Sequence, residues 1–161
     1  MAGLKFSAWT SATNGEVALS TGAQDIVLLL VAPANQGVIV RAWGLFLDGT
    51  TSTASPILVR LIQKTSTAPA GGVAGNKSNR DMSSSMTVQT TVTSENAAGS
   101  SFSTQGTNGD VYARGEIHPQ MGNGEFWPLG EHILIEPAGM LAITALAGAA
   151  VNAVAGFLCE E

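Results

Sequence analysis

The chain has 161 residues, with 7 Lys and Arg against 12 Asp and Glu, a net charge of −5 and a pI near 4.9. That balance argues against a phosphate-gripping surface, because nucleic-acid binders gather Lys and Arg on one face. A single cysteine, Cys159, excludes an intrachain disulfide and a thiolate metal cluster.

The length suits one domain over residues 1–161 with a sizeable core. Charged residues reach only 12%, however, against about 25% in ordinary soluble domains. Charge this sparse implies either a surface solvated by hydroxyls and amides or apolar faces covered by other subunits. Cover by other subunits is the favoured expectation.

In chain order, residues 1–15 lack the continuous apolar stretch of a signal peptide. Residues 1–10 read as a candidate N-terminal arm, with Met1 to Phe6 set to pair with a partner's strand edge. Residues 25–32 (DIVLLLVA) form a near-continuous apolar run closed by Pro33, which fits a strand buried on both faces. From 38 to 47 simple alternation gives one face of Val38, Val40, Ala42, Gly44 and Phe46. The other carries Ile39, Arg41, Trp43, Leu45 and Leu47. Asp48-Gly49 supplies a turn, and 56–64 (PILVRLIQK) continues as a strand.

Residues 65–110 are mostly Ser, Thr, Gly, Asn and Ala, and read as long polar loops around one strand at 86–92 (MTVQTTV). These loops are either mobile surface or an arm that orders against a neighbour. Strand patterns resume at 111–118, 125–127, 132–136, 140–147 and 151–159. The uncharged stretch 137–159 is rich in Ala and Gly, holds Thr144 and Asn152 and lacks a basic flank. It therefore reads as paired strands and not as a membrane span. No window shows capped helical periodicity. The fold class is all-β: an antiparallel β-sandwich, jelly-roll-like, with long polar loops.

Chemistry is hard to find in this pattern. His118, His132 and Glu125 raise a cupin-like metal-binding enzyme, but there is no His-x-His and His132 follows Gly130 too closely. Tyr112, Arg114, Glu116 and His118 share a face by parity, more simply as a charged interface or solvent face than as a reactive cluster. No nucleophile elbow, P-loop or dinucleotide-binding glycine pattern occurs. No cofactor, metal or catalytic residue is expected, and the protein reads as a non-enzyme. Trp9, Trp43, Trp127, Phe6, Phe46, Phe126 and Phe157 are most simply core. Trp43 and the Phe126-Trp127-Pro128 segment are the best aromatic anchors for an interface.

The block DIVLLLVAPANQGVIVRAWGLFLDG followed by PILVRLIQKT resembles a group of small tailed-bacteriophage virion proteins. So do EIHPQ, the turn from Phe126 to Gly130 and the closing MLAITALAGAAVNAVAGFLCEE. The resemblance covers about residues 25–64 and 112–161, and the region 65–111 matches nothing in the group. It implies a capsid decoration (cement) protein, a small β-sandwich, often trimeric, seated outside an icosahedral head. Such a structural protein is made in the host bacterial cytoplasm and ends on the exterior of the virion. Its implied partners are the major capsid protein and itself, as a homotrimer, with no nucleic acid and no membrane. Candidate subunit or capsid contacts are Met1, Leu4, Phe6, Arg41, Trp43, Phe102, Phe126 and Trp127. The alternatives are a tail or receptor-binding component, with Tyr112, Arg114 and His118 at a sugar site, and the cupin-like enzyme.

Overall fold

The computed structural model describes residues 3–10, 16–49, 55–65, 68–80, 86–95, 102–128 and 130–161. Among them the chain forms β1 (Lys5–Trp9), β2 (Val17–Ala18), β3 (Gln24–Val31), β4 (Val38–Leu47) and β5 (Ile57–Lys64). The polar middle contributes β6 (Ala70–Gly71), β7 (Val73–Ala74), β8 (Asn76–Asn79), β9 (Thr91–Ser94) and β10 (Phe102–Thr104). The last third forms β11 (Asn108–Ile117), β12 (Gly122–Phe126), β13 (Ile133–Ile135), β14 (Met140–Leu146) and β15 (Asn152–Glu160). The fold is all-β, as the alternating pattern predicts.

One sheet runs β12-β4-β15-β1-β8, with β13 also on β4 and β2 on β15. The other runs β11-β5-β14-β3-β9-β7, and β10-β6 is a separate two-stranded ribbon. The long pairings nest antiparallel: β1 with β15, β3 with β14, β4 with β12 and β13, β5 with β11. The major strands alternate between the sheets except at β5 and β11, which pair within the second sheet, and this is the double Greek key of a jelly roll. Phe6, Leu45 and Phe157 from the first sheet meet Leu30, Leu61 and Ile143 from the second in one core. At about 25 cal/mol per Å² of buried apolar surface, that core is the main stabilising term.

Strict alternation fails on β4. The register slips between Leu158↔Ala42 and Cys159↔Val40, leaving Arg41 as an extra, bulged residue. The bulge reverses the phase, so Val38 and Val40 face the core together with Trp43, Leu45 and Leu47, while Phe46 lies outside. The two faces expected from the sequence are thereby re-divided at Arg41.

The N-terminal segment is not an arm where it is described. Leu4, Phe6 and Ala8 alternate into the core, and β1 is an inner strand between β15 and β8. Mutual backbone hydrogen bonds between Leu4 and Glu161, 2.7 and 3.0 Å, prolong that pairing. Met1 lies outside the described residues.

The second cover over β3 comes from the chain itself. Phe102 of the β10-β6 ribbon packs on Ile26, Leu29, Ile62 and Ala142, on the outer side of the second sheet. Part of the polar middle region thus orders against its own sheet. The strand expected at 86–92 is shorter and later, at Thr91–Ser94. Side chains satisfy part of the backbone of residues 86–90 instead. Glu161 accepts the N–H groups of Gln89 and Thr90 (2.6 and 2.9 Å), and Lys77 Nζ donates to the carbonyls of Val88 and Thr90 (3.2 and 2.9 Å).

Candidate functional site: an aromatic trough on the outer sheet face

The outer face of the first sheet has no ribbon lying on it among the described residues. Its register builds a trough. Trp9 pairs with Gly156, Gly156 with Gly44, and Gly44 with Gly124, so a row of three glycines crosses β15, β4 and β12. On one side runs the row Ser7, Leu158, Ala42 and Phe126; on the other run Val154, Phe46 and Gly122. The floor is low because those positions lack side chains. A Cβ at Gly156 would collide with the Trp9 ring, which lies across β15 at the end of the row.

Three aromatic rings stand open on this face: Trp9 is 41% exposed, Phe46 58% and Phe126 69%. Trp9 and Phe46 line a hollow of about 210 Å³ with Gly44, Gly156 and Leu158. Arg80 and Leu158 connect it to a second hollow of about 440 Å³ lined by Lys5, Arg41, Phe126, Trp127 and Glu160. Arg41 is anchored there, with Nη2 donating to Glu160 Oε2 at 3.0 Å and Nη1 3.3 Å from His132 Nδ1. The hydrogen bond from Arg41 holds the Glu160 carboxyl below its ordinary range, helped by the Gly3 N–H and the charges of Arg41 and Lys5, against partial burial. Lys5 and Arg80 form no ion pair with a described carboxylate. This end of the trough is therefore cationic on an acidic protein.

The arrangement is suited to holding a side chain or peptide. Aromatic faces beside Arg and Lys bind apolar and π-rich groups, with cation–π support. Among the described residues no three His, Cys, Asp or Glu side chains converge on a metal position. His132 is engaged by Arg41, and His118 Nδ1 accepts the Gln120 N–H at 3.2 Å.

Of the residues singled out from the sequence, Arg41, Phe126 and Trp127 come together here. Trp43 does not. It is 6% exposed on the core side of β4, and its indole Nε1 is buried without a hydrogen-bond partner among the described residues. Leu4 and Phe6 are core, and Phe102 is spent on the second sheet. These four are corrected as surface contacts, because their apolar area is already covered within the chain. Tyr112 also leaves its expected row. The β11 register slips between Val111 and Ala113, and Tyr112 turns toward a hollow shared with Ile133 and Leu134. Trp9 and Phe46 are the residues that composition assigned wrongly to the core. The signal for them was the set Gly44, Gly124 and Gly156, which means nothing until register aligns it. Comparison with family models, with curated proteins and with solved structures yields no match for this chain.

Proposed function

We propose that this protein is a structural component of a tailed-bacteriophage virion, a decoration (cement) protein that seats on the outside of the head and braces the shell. The observation that carries the reading is the trough: three exposed aromatic rings on one sheet face, backed by a packed core and edged with Lys5, Arg41 and Arg80. Exposed aromatics next to Arg are the side chains that dominate binding energy at protein interfaces. Their place on a sheet, and not on a loop, limits the ordering cost of association. The trough's chemistry suits an acidic segment of the major capsid protein carrying aromatic or aliphatic anchors. An oligomer of this chain that bridges several capsid subunits makes its later attachments effectively intramolecular and raises the avidity.

The test is reconstitution. Purified protein is added to undecorated heads and saturable binding is measured, alongside the resistance of the heads to heat and to loss of DNA. Saturable binding that weakens when Phe126 and Phe46 are both replaced by Ala is expected. Failure to bind heads at any concentration refutes the reading, and binding to tails alone moves it to a tail component.

A further inference from the structure

We infer that the open edge strand β11 pairs with β11 of a second copy about a two-fold axis through Gly115, which makes this chain a dimer by sheet extension. β11 is the end strand of the second sheet, held by β5 on one side, with no described strand on the other. Along its ten residues, alternate backbone N–H and C=O groups point away from β5, a template for pairing that proteins usually blunt. Here the part before Ala113 is blunted by two register slips, while Ala113 to Ile117 runs in regular register with Leu61 to Ile57. Gly115 is the middle residue of that regular run.

Charge at an edge ordinarily deters pairing, but this pattern is self-complementary. Arg114 and Glu116 are exposed and flank Gly115 on either side. An antiparallel two-fold at Gly115 sets Arg114 opposite Glu116 of the second copy, twice, and Ala113 opposite Ile117, twice. Moving the axis to Arg114 or Glu116 puts like charges face to face, and moving it to Ala113 sets Glu116 against Asp110. Within one chain Arg114 already stands across from Arg60, an unfavourable like-charge pair. An incoming Glu116 offsets it. A two-fold contact of this kind uses the same strand on both sides and closes at two copies. Tyr112 and Leu134, exposed by 46% and 57%, lie on the same open side of the sandwich.

The experiment is sedimentation equilibrium on the full chain and on three variants: Arg114→Glu, Glu116→Arg and the double exchange. The wild type should be a dimer. Each single change turns two attractive contacts into two repulsive ones and should raise the dissociation constant about tenfold or more. The double exchange should restore dimerisation. Arg114→Glu also replaces the Arg60–Arg114 clash by an opposite-charge pair, so its thermal midpoint, measured at a concentration where every variant is monomeric, should stay level or rise. Loss of dimer with intact stability therefore separates assembly from folding. A wild type that is monomeric or trimeric, or a double exchange no better than the singles, overturns the inference. Head binding is scored separately, so a monomer that still decorates heads leaves the proposed function standing, and a dimer that ignores heads does the reverse.

Discussion

Phe102→Ala is the sharpest probe of how this fold covers its second sheet. The ring is 5% exposed and rests on Ile26, Leu29, Ile62 and Ala142, with Val31 and Met140 beside them. Losing its burial costs about 2–3 kcal/mol in transfer free energy. The space left behind adds about 1 kcal/mol more, since a two-stranded ribbon settles into a gap more easily than a core strand does. A total near 3 kcal/mol should lower the thermal midpoint by roughly 6–12 °C for a domain of this size. The matched control is Phe126→Ala: that ring is 69% exposed, so the change should stay within about 0.5 kcal/mol. The assay is urea unfolding followed by tryptophan fluorescence, with limited proteolysis across the ribbon and binding of a hydrophobic dye to the native protein. Phe102→Ala should unfold earlier, bind dye and be cut in the ribbon before it unfolds globally. Equal stability of the two variants would refute the argument that the chain supplies its own second cover.

Other outcomes follow from buried or strained groups. Burial, with the charge of Asp25, raises the Glu95 pKa, while the Phe102 N–H at 3.0 Å and Gln105 oppose the shift. An acid whose folded pKa is raised binds its proton more tightly in the native state, so it stabilises most below the ordinary carboxylate range, and stability falls as pH rises through the folded pKa. Glu95→Gln should therefore raise stability at neutral pH and flatten that slope in urea titrations at several pH values. Glu160 has the opposite sign, being depressed chiefly by its bond to Arg41, so its contribution is present above the ordinary range and lost as pH falls through the folded pKa. Arg41→Ala should shrink this acid limb, leaving the smaller share held by the Gly3 N–H and Lys5, and cost about 0.5–1 kcal/mol at pH 7, by the same measurement. Ala138 adopts φ 59°, a left-handed conformation that strains a side chain, so Ala138→Gly should stabilise by about 0.5–1 kcal/mol in thermal unfolding. Cys159 is buried and its thiol pKa is pushed up by burial and by Glu161, so thiol reagents should label it only as the protein unfolds.

The amino-acid pattern by itself determined that this chain is all-β, because alternation, β-branched runs and Gly/Pro turns are local properties. The ranges 25–32, 38–47 and 140–147 come within a residue of β3, β4 and β14 for that reason. Tertiary structure alone decided which faces are hidden. One bulged residue, Arg41, reversed the inside and outside of β4 and buried Trp43 while exposing Phe46, and no composition rule registers a bulge. The trough likewise depends on Gly44, Gly124 and Gly156, far apart in sequence, falling into one row across three strands. Phe102, isolated in a polar stretch, became core only because the ribbon folds back over β3. Local pattern fixes how a segment extends; only pairing register and long-range packing fix what each side of it touches.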